Sequence, residues 1–156
     1  MAEPREKLGK ILVRQLPTDT DLIKSIKKLC TDNGIRYGAI LSSIGSLRQL
    51  EIEGVVVSKK SGSGTDFGPP RIIPGPLQVL NLDGIIFDKG ETGEMDAHIH
   101  GAFVDMAGKI YGGHIMEGGS IIATRLVVVI GEVADVSLTE KYDEKSGHRL
   151  LHVKPL

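Results

Sequence analysis

"DAHIHGAFVDMAGKIYGGHIMEGG", Asp96 to Gly119, carries three of the five histidines of the chain in one short stretch. In an extended strand, residues two apart point to the same side, so His98 and His100 share a face while Ile99 points away. "DMAGK" reads as the turn of a hairpin, with Gly108 suited to the positive φ that such turns need. With Met106 to Lys109 at the tip, paired positions sum to about 214 or 215, which puts His114 opposite or diagonal to His100 at a spacing of roughly 5 to 8 Å. Three imidazoles then converge on one side of a two-stranded ribbon.

The segments around this hairpin repeat its pattern. "YGAILSSIGSL", "LEIEGVVV", "LQVLNLDGIIF", "TRLVVVIGEVADVSL" and "HRLLHV" have the alternation and turn signals of an antiparallel sheet. Before them, "LGKILVRQLP" reads as a short strand and "TDTDLIKSIKKLCTDNG" as an amphipathic helix. Leu22, Ile23, Ile26, Leu29 and Cys30 fall on one stripe, Asp19 or Thr20 is placed to cap the start, and Asn33-Gly34 supplies a left-handed stop. Lys24, Lys27 and Lys28 lie on the opposite face, where solvation accounts for them. The expected fold class is α+β: a mostly antiparallel sheet with one main helix packed on it. Ser58 to Gly75, rich in Ser, Gly and Pro, reads as a long mobile loop. Leu126 to Ile130, "LVVVI", is apolar at both alternating sets of positions, so it needs cover on two faces; a second copy of the chain would provide the cover that one helix cannot.

Composition bounds the rest. At 156 residues the chain suits a single domain, 1–156, able to bury a core without disulfides or a structural metal. Cys30 is the only cysteine, which excludes an intramolecular disulfide and a cysteine-based zinc site, and fits a reducing, cytoplasmic setting. Its place on the helix stripe is that of a packing residue. The first ten residues lack a signal peptide's apolar run, and no stretch approaches the roughly 20 apolar residues of a membrane span, so no membrane partner is expected. The net charge of −1 argues against a broadly electropositive nucleic-acid surface, although residues 1–50 hold nine Lys/Arg against five Asp/Glu.

Neutral imidazoles on one face suit a borderline divalent metal such as Zn(II), with a fourth position left for water or a ligand. The metal-ligand candidates are therefore His98, His100 and His114. Glu117, three residues beyond His114, is a candidate for that fourth position or for a catalytic proton acceptor, and Asp96 for orienting an imidazole. Gly112, Gly113, Gly118 and Gly119 remove bulk around the site. His148 and His152, in "GHRLLHV", receive no site assignment. Phosphate-loop, serine-hydrolase and dinucleotide glycine motifs are absent from the sequence.

The ordered set "PTDTDLIKSIKKLCTDNGI", "GAILSSIGSL", "GPLQVLNLDGII", "AHIHGAFVDMAGKIYGGHIMEGG" and "TRLVVVIG" resembles the plants and prokaryotes conserved (PPC) domain family, from about Ile11 to Val136. The resemblance implies a homotrimer of α+β domains. In plants the domain follows AT-hooks and is linked to DNA binding and protein interaction; prokaryotic members stand alone and are named as candidate DNA-binding proteins. The Arg-Gly-Arg-Pro core of an AT-hook does not occur here. Prokaryotic members resemble this chain at His98, His100 and His114, where a metal is implied. The expected function is that of a stand-alone PPC-domain regulatory protein with a three-histidine metal site. Two alternatives stand beside it: a metal-dependent enzyme acting on a small molecule with Glu117 as proton shuttle, and a trimeric protein-interaction module.

Overall fold

The computed structural model describes residues 7–90 and 92–156. Its elements are β1 (Lys7–Gln15), α1 (Leu22–Asp32), β2 (Gly38–Glu53), β3 (Val55–Val57), β4 (Thr65–Phe67), β5 (Arg71–Asp88), β6 (Met95–Val104), β7 (Ile110–Ile115), β8 (Ile121–Ala134), β9 (Val136–Asp143) and β10 (His148–Pro155). Eight strands form one sheet in the order β1-β8-β2-β7-β6-β5-β9-β10, and β3 pairs with β4 in a separate ribbon.

The sheet is closed over part of its width. β2 is 16 residues long and carries β8 and then β7 along one edge, while β5 runs along the other. The path β2-β7-β6-β5 therefore returns to β2. Register shifts between Ile40 and Ser42 and between Gly45 and Gln49 mark where β2 bends, as bulges do. All these pairings are antiparallel; a parallel contact, Asp88 with Thr139 of β9, makes the sheet mixed.

This closure corrects the α+β expectation. Among the described residues the chain is mainly β, with one helix of 11 residues, and that helix is not a second layer laid on a sheet. The curled sheet supplies its own facing wall: Leu50, Ile52, Leu77, Leu82, Ile99 and Phe103 meet Leu126, Val128 and Ile130 in one core, all at 1% exposure or less. α1 adds Leu22, Ile23, Ile26 and Cys30 to that core from one side. Alternation predicted the strands but carries no information on whether a sheet stays open or curls until its own faces meet.

Three local details also differ. Asp21, rather than Asp19 or Thr20, caps α1 by accepting from the Lys24 N–H at 3.0 Å. Its other carboxylate oxygen accepts from Gly118 N–H at 2.8 Å, which ties the helix start to the β7–β8 connection. The Ser58–Gly75 segment is built into strands in part, as β4 and the first residues of β5. The stop at Asn33-Gly34 is as expected, with Gly34 at φ 68°.

In "LVVVI", Leu126, Val128 and Ile130 are fully buried, while Val127 and Val129 are half-buried on the opposite face. There they pair with Ile44 and Val13, which are 70% and 56% exposed. Among the described residues, no helix is long and apolar enough to cross a membrane.

Candidate metal centre

The hairpin that positions the histidines is fixed at its turn. Asp105 N–H donates to Lys109 O at 3.0 Å, and Gly108 N–H donates to Asp105 O at 3.0 Å with Gly108 at φ 80°. The Asp105 carboxylate accepts from Ala107 and Lys109 N–H at 2.9 Å each and from the Tyr111 hydroxyl at 3.0 Å. These bonds, the Lys109 N–H foremost, hold the Asp105 carboxyl below the usual carboxylate range. From this turn the ladder runs Val104↔Ile110, Phe103↔Tyr111, Ala102↔Gly112 and Gly101↔Gly113 to His100↔His114. The expected pairing sum is the observed one.

On the far side of β7, Glu53 of β2 pairs with His114. Gly113 allows this approach, since a side chain there would collide with the Glu53 carbonyl oxygen. On the far side of β6, Asp83 of β5 pairs with His100.

The three rings meet. Their centroids lie 4.9 Å apart for His98 and His100, 4.5 Å for His98 and His114, and 5.5 Å for His100 and His114. One ring nitrogen from each lies within 4.8 Å of the others, and the Nε2 atoms of His98 and His100 are 3.1 Å apart. Ligand nitrogens about 2.0–2.1 Å from a tetrahedral zinc are separated by roughly 3.3 Å, so small ring rotations bring the set to coordination distance. Ile99 between them is fully buried, as the alternation requires.

The electrostatics favour neutral rings. Burial, reinforced by His98 and His100, pushes the His114 pKa down to about 4. Burial and the neighbouring His100 also lower that of His98. Near neutral pH these rings keep their lone pairs for a metal, where charged imidazoliums would repel it. The Nδ1 of His114 is buried without a hydrogen-bond partner among the described residues. Buried polar atoms rarely stay unpaired, and an external partner at this ring would satisfy it. The donor set, with the His114 ring neutral near pH 7, therefore fits a divalent metal.

Among the described residues the convergent set is the three histidines, and Glu117 lies outside it. Its carboxylate accepts from Lys27 Nζ of α1 at 3.0 Å. It borders a cavity of about 220 Å³ together with Asp96, His98 and His114. Asp96 is held by lysines rather than by an imidazole: Lys27 at 3.6 Å and Lys89 at 3.3 Å. Burial alone would lower the Lys27 pKa, but the Glu117 hydrogen bond and the charges of Asp96, Glu117 and Glu94 outweigh it and raise it. Lys27 is thus more than a solvated helix residue, because it joins α1 to both sides of the cavity. Lys24 and Lys28 remain exposed.

Two residues beside the centre lie outside the set that the sequence assigns to it. Phe67 of β4 packs its ring 5.8 Å from that of His114. The ring of His148 of β10 lies 6.1 Å from that of Phe67. A period-2 pattern could have assigned Phe67 a face but not a partner 47 positions away in sequence. His152 is exposed, and the Cys30 thiol, pushed up to about 11 by burial, is a packing group as expected.

Known proteins share this architecture. A metal-containing protein from Archaeoglobus fulgidus superposes with a TM-score of 0.80 at 24% identity, covering 97% of this chain and 99% of its own. A plant- and prokaryote-conserved protein from Pyrococcus horikoshii gives 0.78 at 22% identity, covering 99% of each chain. A proposed DNA-binding protein from Bacteroides thetaiotaomicron gives 0.72 at 17% identity, over 94% and 96%. At these identities the likeness is one of fold. In sequence, the chain is 24% identical over 147 residues to the bifunctional protein GlmU of a Synechococcus strain, covering 94% of this chain and 21% of that protein. It spans about a fifth of the length of the curated relatives it matches. The Plants and Prokaryotes Conserved (PCC) domain model matches residues 4–134, and the chain therefore belongs to this family, the one its ordered motifs resemble.

Proposed function

We propose that His98, His100 and His114 hold a divalent cation, with Zn(II) the best chemical match, and that this centre is the functional site of the protein. The observation that carries the proposal is the convergence of three ring nitrogens within 4.8 Å, with the His114 ring kept neutral near pH 7 by burial. An all-imidazole donor set suits zinc better than magnesium or calcium, which prefer oxygen. The similarity to the metal-containing Archaeoglobus protein supports the same reading. Metal analysis of the purified protein beside His100→Ala tests it. About one equivalent in the wild type and a large loss in the variant are expected; equal content in both would remove His100 from the centre.

The regulatory role that goes with this centre is cytoplasmic and DNA-linked. Its support is the fold shared with the proposed DNA-binding proteins of Bacteroides and of Ralstonia eutropha. With a net charge of −1, contact with DNA would be confined to a local basic patch. Binding in a gel shift should weaken steeply with salt, and a salt-independent shift would count against it. The partner reading is a homotrimer, supported by the exposed apolar face around Ile44, Val13, Val127 and Val129.

A second reading, metal-assisted chemistry on a small molecule, is favoured by the cavity that Glu117 shares with His98 and His114. A bound divalent cation would supply Lewis acidity and a more acidic bound water there. Glu117 would take up the proton and Lys27 would hold its carboxylate in place. Loss of any discovered turnover in Glu117→Gln, with metal content intact, is the expected result; unchanged turnover would exclude Glu117.

A further inference from the structure

The β3–β4 ribbon stands apart from the main sheet, and all six of its strand residues are exposed. Three backbone pairs join it, Val55↔Phe67, Val56↔Asp66 and Val57↔Thr65, and a bond from Gly68 N–H to Gly54 O at 2.8 Å closes its base. A ribbon with so little buried apolar area is held in place by whatever its tip touches.

The tip touches the β9–β10 turn. Ser61 Oγ donates to Ser146 O at 3.1 Å. Gly62 lies so close that a side chain there would collide with the Lys145 carbonyl oxygen. The Nε2 atom of His148 sits 3.1 Å from Ser61 Oγ, 3.0 Å from Ser63 Oγ and 3.1 Å from Thr65 O. One imidazole nitrogen thus gathers both serines and the ribbon backbone.

Two residues beyond Thr65 is Phe67. Its ring packs against both the ring of His148, edge-on at 84°, and that of His114, tilted at 48°. The docked ribbon therefore sets an aromatic wall against the most buried of the three convergent histidines, while His98 and His100 stay exposed.

We propose that the β3–β4 ribbon is a gate on the histidine centre, with Phe67 as the closing side chain and His148 as the positioning residue that keeps it docked. The role of the gate in metal exchange rests on the metal reading above; the shielding of His114 does not. Closed, Phe67 screens the His114 side, so that exchange at the centre runs through the open side at His98 and His100. Opening needs the polar contacts of His148 with Ser61, Ser63 and Thr65, and that of Ser61 with Ser146, to part.

The test is the rate at which diethyl pyrocarbonate modifies His114 in metal-free protein, followed by peptide mass spectrometry with exposed His152 as the internal reference. Phe67→Ala and His148→Ala are expected to raise the His114 rate about fivefold or more without changing that of His152. His148→Gln, whose amide can still donate to Thr65 O, should stay near wild type. Gly62→Val, which pushes the tip away, should match His148→Ala and keeps the test available if that variant fails to fold. Unchanged His114 labelling in Phe67→Ala and in the tip variants overturns the gate, and so does a His148→Gln as fast as His148→Ala. Zinc-loaded protein should then pass its metal to a chromogenic chelator faster in Phe67→Ala by a similar factor. Absence of zinc uptake by the wild type would overturn the metal reading instead and leave the labelling to decide the gate.

Discussion

His100 and His114 are direct cross-strand partners on β6 and β7, 14 residues apart in sequence and 5.5 Å apart between ring centroids. Their meeting depends on a turn of a few residues, because a slip of one position would send every side chain of β7 to the other face. Gly108→Val forces a β-branched residue to adopt φ 80°, at a cost of about 1–2 kcal/mol. Thermal unfolding should show that loss, and calorimetric titration with zinc should show weaker binding although no histidine has changed. Wild-type affinity in a destabilised variant would mean that the register is set elsewhere.

The depressed pKa values give the metal-free protein a pH-dependent stability. His114 titrates near 4 in the fold and near 6.5 in the unfolded chain. Between these values the unfolded state carries a proton that the folded state lacks, so stability rises with pH across this window and levels off above it. His98, lowered in the same direction, adds to the slope. Urea midpoints of metal-free protein should therefore be lower at pH 5 than at pH 7, and His114→Gln should flatten the difference. An equal difference in the variant would assign the slope to other groups.

Asp88 is buried at 2% exposure at the end of β5, where it accepts from Arg36 Nε at 3.0 Å and from Gly90 N–H at 2.7 Å. The Arg36 hydrogen bond holds its carboxyl below the usual range. This contribution is complete above the unfolded carboxylate pKa of about 3.9 and is lost as pH falls through the lower folded value. Arg36→Ala leaves the carboxylate buried with less to neutralise it, and a lower stability at pH 7 is expected by chemical denaturation. A variant as stable as wild type would show that Gly90 and water suffice.

Ile44 is 70% exposed, so Ile44→Glu should cost an isolated chain little. If the apolar face is covered by further copies, light scattering should show the variant at the mass of a single chain and the wild type at three times that mass. Retention of the wild-type mass by the variant would place the contact elsewhere.

The sequence by itself determined the parts that depend on near neighbours. The stripe of Leu22, Ile23, Ile26 and Cys30 is the buried face of α1. The turn at Asp105–Lys109 and the alternation around it specify the register that brings His98, His100 and His114 together. These features repeat every 2 or 3.6 residues, and a local period reports them directly. What only the tertiary structure decided joins residues far apart. β2 closes onto β5, which replaces the helix-on-sheet architecture with a curled, mainly β fold. Asp21, the cap, also accepts through its second oxygen from Gly118, 97 positions away. Lys27 meets Glu117 across 90 residues, and Phe67 reaches His114 from a segment read as loop. Periodicity names the face a residue occupies, whereas these pairs follow from how far the sheet curls and which strands share an edge, a property of the whole core.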